Sequence, residues 1–184
     1  MLWILLIIVV LIVLFIISVY NNLVTLKQRA KNSFSQMDVQ LQRRFDLIPN
    51  LVETVKGYMA HESDTLAKVT ELRTSWANAK TADEKAKVDN ELSSTLKTIM
   101  AVAEAYPDLK ANQNFSNLQA ELSETEDKIS YSRQFYNDSV TRYNTKLELF
   151  PSNIIASMFH FTPENLFEVD NSEARKNVKV DFNK

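Results

Sequence analysis

Residues 23–55 read LVTLKQRAKNSFSQMDVQLQRRFDLIPNLVETV, and their periodicity decides the fold. Leu23, Leu26, Ala30, Phe34, Met37, Leu41, Phe45, Ile48 and Val52 recur at steps of 3, 4 and 4. This eleven-residue period keeps one apolar stripe on a nearly straight helix. A stripe of that kind needs partner helices to cover it. Pro49 falls inside the pattern, which persists through Leu51, Val52 and Val55. The spacing therefore predicts a kink instead of a stop, although proline costs about 3 kcal/mol in a helix interior.

Upstream, Leu2 to Ile17 is an unbroken run of Leu, Ile, Val, Trp and Phe, followed by Ser18, Val19 and Tyr20. Trp3 to Tyr20 covers roughly 26 Å as a helix, close to the ~30 Å hydrocarbon core, with an aromatic residue at each end. Leu2, Trp3, Leu11, Phe15, Ile17 and Tyr20 mark a transmembrane anchor over residues 1–20 whose partner is the lipid bilayer. A secretory signal is the rival reading, but no basic segment precedes the run and no small-x-small site follows it. Lys27, Arg29 and Lys31 lie just beyond the span and no Lys or Arg precedes it. The positive-inside bias then places the C-terminal body in the cytoplasm.

Composition supports the same architecture. The chain of 184 residues has one glycine, Gly57, and four prolines, where average usage of about 7% and 5% gives many more of each. Few, long helices are expected, in one domain. A net charge of −2 lacks the basic face that nucleic acid demands. The absence of cysteine excludes disulfides and thiol chemistry.

Downstream, Met59, Leu66, Val69, Leu72 and Trp76 give a helical period from about Val55 to Ala79. Thr81-Ala82-Asp83-Glu84 has the form of a capping box. It opens a helix to about Ala105, with Val88, Leu92, Leu96, Ile99 and Val102 or Ala103 inward and Pro107 as the stop. Asp108 to Asn114 is a connection with a short turn. Phe115, Leu118, Leu122, Ile129, Tyr136, Val140, Tyr143 and Leu147 then define a helix to about Leu149. Pro151 ends it, and Ser152 or Asn153 caps a short helix containing Ile154, Ile155 and Met158 that Pro163 closes. Residues 21–162 form the bundle. Residues 163–184 form an extended tail, alternating at Val178, Val180 and Phe182. The fold class is all-α, with an N-terminal transmembrane helix continuous with a long antiparallel helical bundle.

Chemistry is sparse in this pattern. His61 and His160 are far apart in sequence and no metal-ligand spacing is present. His61 reads as a solvent-facing residue, and His160, between Phe159 and Phe161, as closing a hydrophobic cap. A single glycine excludes a phosphate-binding loop. Glu121, Glu124, Glu126 and Asp127 read as a solvated face or an inter-helix salt bridge, with an acid/base pair as the sharper alternative. Arg43-Arg44 is a partner for those carboxylates, an anionic-lipid contact or a solvated pair. At about 30 Å or more beyond the span, lipid contact is disfavoured. Tyr136-Asn137 and Tyr143-Asn144 repeat one heptad apart. Buried phenol and amide groups must be hydrogen-bonded, so these pairs set the register of packed helices or, alternatively, form a binding site.

Arg43-Arg44-Phe45-Asp46-Leu47-Ile48-Pro49-Asn50-Leu51-Val52-Glu53-Thr54-Val55-Lys56-Gly57-Tyr58 resembles the signature of the LemA family. Ala105-Tyr106-Pro107-Asp108-Leu109-Lys110-Ala111-Asn112, the two Tyr-Asn pairs and Phe150-Pro151-Ser152-Asn153-Ile154-Ile155-Ala156 resemble its later blocks, in order. Phe159-His160-Phe161 departs from relatives in which a glycine is common. The resemblance implies an antiparallel bundle on a single-pass anchor in a bacterial inner membrane, with some relatives associated with magnetosome membrane formation and others encoded beside membrane-bound TPM-domain proteins. It assigns no biochemistry to residues.

The function expected from these readings is a membrane-anchored scaffold or adaptor that binds membrane-associated protein partners and self-associates, with no cofactor and no catalysis. Arg43, Arg44, Asp46, Pro49, Asn50, Glu121, Glu124, Arg133, Tyr136, Asn137, Tyr143 and Asn144 are its structural or interaction candidates. The alternatives are a membrane-remodelling protein and an enzyme, such as a hydrolase built on Glu121, Glu124 and Arg133.

Overall fold

The computed structural model describes residues 1–58 and 63–168. Met59, His61, Val178, Val180 and Phe182, on which several expectations rest, lie outside the described residues. Six helices follow one another among those described: α1 (Leu2–Lys56), α2 (Ser63–Asn78), α3 (Ala82–Ala103), α4 (Pro107–Lys110), α5 (Gln113–Glu148) and α6 (Ser152–Met158). No strand occurs among them.

α1 is one helix of 55 residues and contains both the apolar run and the stripe. It passes through Pro49 without ending there, and Pro49 is exposed, away from the packed side. The run from Leu2 to Ile17 has no buried residue and is long enough and apolar enough to cross a membrane. Burial begins at Leu23 and continues through Ala30, Met37, Leu41, Phe45 and Ile48. Beyond Ile48 the stripe moves by one residue, so Leu51 and Val55 are buried and Val52 is only half-buried.

α5 runs antiparallel to α1 and covers most of this stripe. Phe34 and Tyr136 meet edge to face at 5.5 Å, and the hydroxyls of Ser33 and Ser139 lie 3.0 Å apart. α2 and α3 form a hairpin against the same helix. α2 begins at Ser63 and not near Val55, which closes α1 instead. The Trp76 ring stacks on Phe45 at 4.4 Å, and its indole N–H donates to Gln42 Oε1 at 3.1 Å. Such aromatic pairs contribute about 0.5–1.5 kcal/mol beyond area burial.

The capping box forms as the sequence predicts. The Glu84 N–H donates to Thr81 Oγ1 at 3.2 Å and the Thr81 N–H donates to Glu84 Oε2 at 3.1 Å. The backbone N–H groups of Lys80 and Thr81, both donating to the Glu84 carboxylate, hold it below the usual carboxylate range. Pro107 does not stop α3, which ends at Ala103, but starts α4 at its first turn, where a missing N–H is harmless. At the far end of the bundle Asn112 caps α5 through Asn114 and Phe115 and donates to the Tyr58 hydroxyl at 3.1 Å.

At the opposite end three expectations are corrected. Ser152 does not cap α6, whose N-cap is Pro151. Its buried hydroxyl instead reaches the carbonyls of Lys146 and Leu149 at the end of α5. α6 ends at Met158, well before Pro163. His160 closes no apolar cap: it is exposed, with φ 56°, the left-handed conformation that ends helices and favours glycine. The Phe161 N–H reaches back to the Ala156 carbonyl at 2.9 Å across this turn. Phe159 and Phe161 pack on Tyr20 at 4.8 and 5.7 Å, so the end of the apolar run is gripped by the cap.

Candidate functional site

After α6 the chain turns back and runs as an extended segment in the groove between α3 and α5. The two Tyr-Asn pairs hold it there. Tyr143 donates its hydroxyl to the Thr162 carbonyl at 2.9 Å, and Tyr136 donates to that of Asn165 at 2.8 Å. Asn144 accepts the Glu164 N–H at 3.0 Å and donates to the Glu164 carbonyl at 2.8 Å. Asn137 treats Phe167 the same way, at 2.9 and 3.2 Å. One heptad of helix advances about 10.5 Å, and three residues of extended chain advance about 10 Å. The seven-residue repeat on α5 therefore matches a three-residue repeat on the segment. The pairs fix the register of this strip and not, as the sequence pattern suggests, of helix against helix. Burial and the neighbouring carboxylates of Glu164 and Asp83 push the Tyr136 phenol up to about 12, and Tyr143 is raised by burial and by Glu164.

α3 supplies the other wall of the groove. Asn165 donates to Asp83 at 2.9 Å, and Asn90 donates to the Glu168 carbonyl at 3.1 Å. Phe167 is buried, and the Arg133 guanidinium lies over its ring at 5.6 Å. Arg133 in turn donates to Asp89 Oδ2 at 3.1 Å. Asp89 is fully buried and pairs through Oδ1 with Arg44, itself 1% exposed. Arg44 also pairs with Glu126 and donates to Ser93 Oγ at 3.0 Å. Two guanidiniums thus face two carboxylates across α1, α3 and α5, which is how buried charge is tolerated. Burial pushes both guanidiniums below their ordinary values, and Glu126 opposes the shift in each. Among the described residues, a cavity of about 460 Å³ is lined by Arg44, Ser93, Leu96, Met100, Leu122 and Glu126.

The remaining candidates do not join this constellation. Arg43, Asp46 and Asn50 are exposed. Asp46 accepts a hydrogen bond from Gln42 at 2.9 Å. Glu121 is exposed, and Glu124 pairs with Lys128 one turn away on the same helix, which lowers its carboxyl. Glu121, Glu124 and Arg133 are not brought together as a hydrolytic site would require. Of the acidic run it is Glu126 that makes the inter-helix bridge. Asp89 and Ser93 escaped the sequence reading. Their signal is present, however: Asp89 is in phase with Leu92, Leu96 and Ile99 as Arg44 is with Leu41, Ile48 and Leu51, and one opposite charge in each of two apolar stripes marks a buried pair. Among the described residues no cluster of His, Asp or Glu is arranged to hold a metal.

Comparison with known proteins agrees with this architecture. The LemA family model matches residues 33–182. Protein LemA of Metamycoplasma hominis is 28% identical over 167 residues, covering 84% of this chain and 75% of the relative. Magnetosome protein MamQ 2 of Paramagnetospirillum magneticum is 24% identical over 175 residues, covering 81% of this chain and 64% of the relative. Magnetosome protein MamQ of Magnetospirillum gryphiswaldense is 23% identical over 168 residues, with 77% and 62% covered. The chain thus spans less than two thirds of the magnetosome relatives. With a match over most of its length, and the anchor-to-bundle helix and groove in place, the chain belongs to the LemA family.

Proposed function

We propose that this protein is a membrane-anchored helical scaffold, held by α1 in the inner membrane with its bundle in the cytoplasm, that docks protein partners and self-associates without performing catalysis. The observation that carries the reading is the unbroken α1, which joins a span-length apolar segment to the buried stripe of the bundle. A body built in this way presents its faces at a fixed orientation to neighbours in the membrane plane. Its polar constellations are spent on holding the groove strip and on neutralising buried charge. The LemA family is not a known enzyme family, which supports a binding role. The cavity around Ser93, Leu96 and Met100 offers an extended partner segment both apolar and polar contacts.

Photo-crosslinking from Lys97, which lines that cavity, in native membranes followed by mass spectrometry tests this role. Discrete adducts with membrane-associated proteins or with a second copy are expected. A folded chain that gives neither contradicts it. A flexible Gly/Ser insertion after Asn22 is expected to abolish the adducts that depend on orientation.

The likeness to magnetosome proteins favours a second reading, in which the scaffold organises or reshapes the membrane itself. Liposomes that keep their shape by electron microscopy after the protein is reconstituted into them would count against that reading.

A further inference from the structure

The α5–α6 corner carries apolar side chains that none of the described residues covers. Phe150 is 80% exposed, and Leu149, Ile154, Met158 and Phe159 are all more than a third exposed. Ile154 and Met158 lie one turn apart on the face of α6 opposite the buried Ser152, Ile155 and Ala156, and Phe150 lies just before that helix. From Leu149 to Pro163 the sequence contains no Asp, Glu, Lys or Arg, and Glu148 and Glu164 flank this interval. Large apolar side chains gathered on one uncharged corner are unusual on a water-facing surface.

Position says what covers them. The antiparallel pairing of Ser33 with Ser139 and of Phe34 with Tyr136 brings Leu149 and Phe150 level with residues 20–23 of α1. Phe159 and Phe161 touch Tyr20 itself, the residue that closes the apolar run. The exposed face is therefore continuous with the segment that the anchor reading places in the bilayer, at the depth where aromatic and amphipathic groups settle.

We propose that the Phe150, Ile154, Met158 and Phe159 face of the α5–α6 corner inserts into the boundary between lipid headgroups and acyl chains of the membrane that α1 spans. The inference rests on the anchor reading and adds a second contact to it. The bundle then sits against the bilayer on two supports, and α1 cannot rotate about its own axis without withdrawing apolar side chains from lipid.

Because the chain has no native cysteine, single-cysteine labelling of the full protein in phosphatidylethanolamine/phosphatidylglycerol vesicles tests this directly. An environment-sensitive fluorophore is placed at Ile154→Cys, Met158→Cys, Leu11→Cys or Tyr131→Cys. Lipids carrying a nitroxide near the headgroup, or deep in the acyl chain, serve as quenchers. Labels at 154 and 158 should emit to the blue of the label at 131 and be quenched several-fold more by the shallow nitroxide. The label at 11 should respond best to the deep one. If the label at 11 is quenched while those at 154 and 158 resemble the one at 131, the corner proposal fails and the anchor stands. Blue-shifted labels at 154 and 158 that no lipid quencher reaches mean that a second copy or another protein covers the face, which also overturns it. A label at 11 that no lipid quencher reaches removes the anchor and the proposal together.

Discussion

Asn144 holds Glu164 by both of its backbone groups, accepting the N–H at 3.0 Å and donating to the carbonyl at 2.8 Å. A side-chain amide thereby reproduces the pairing that a neighbouring strand would make, with α5 as the support. Asn137 repeats the arrangement at Phe167.

Replacing either asparagine by alanine removes two hydrogen bonds and leaves part-buried backbone groups unpaired. At about 0.5–1.5 kcal/mol for each bond, the loss is about 1–3 kcal/mol per clamp. Hydrogen exchange should accelerate over Thr162–Phe167 while α1 and α5 stay protected. Uniform acceleration throughout the bundle would show that the clamps stabilise more than the strip.

Alkaline conditions should release the same strip. Tyr136 titrates near about 12 in the fold against about 10 in an unfolded chain. A group whose folded pKa is raised contributes stability that is whole below the unfolded value and is lost as pH climbs through the folded one. Stability should therefore decline between about 10 and 12 and Tyr136→Phe should flatten that decline, as read by phenolate absorbance alongside helical circular dichroism. An unchanged profile in Tyr136→Phe contradicts the assignment.

Asp89→Ala leaves buried Arg44 with one carboxylate, that of half-exposed Glu126, and takes from Arg133 the carboxylate it donates to. Breaking a buried pair in this way costs about 3–5 kcal/mol. Glu126→Ala should cost clearly less, because water reaches that carboxylate. Equal losses in urea denaturation would argue that the cluster is not organised around Asp89.

His160→Gly should stabilise the fold. A non-glycine residue in the left-handed region costs roughly 1–2 kcal/mol, and the extra freedom of glycine in the unfolded chain returns part of that. A net gain of about 1 kcal/mol corresponds to a rise of ~2–4 °C in Tm for a chain of this size. A fall in Tm would mean that the exposed imidazole makes a contribution of its own.

The helices were legible because single-helix signals are local. The capping box at Thr81, the stripe of α1 and the heptads of α5 each depend on residues a turn or two apart. The Tyr-Asn pairs were visible as a repeat, but their partner was not, since a hydrogen bond to a backbone carbonyl leaves no mark on the identity of Thr162 or Asn165. Asp89 carries no local cluster signal, because the buried site is assembled from charges on three helices. His160 was misassigned for a different reason. Its aromatic neighbours suggested a cap, yet the backbone needed a left-handed residue there, and Phe159 and Phe161 alone pack on Tyr20.

The central claim is that span and bundle share one rigid helix. Spin labels at Leu11→Cys and Val39→Cys, both exposed positions on α1, measure it by pulsed electron paramagnetic resonance in lipid vesicles. An unbroken helix separates these positions by about 42 Å. The account predicts a single narrow distance distribution near that value. A broad distribution, or one centred well below it, would mean that the chain bends between Tyr20 and Leu23 and that the apolar run is only a tether.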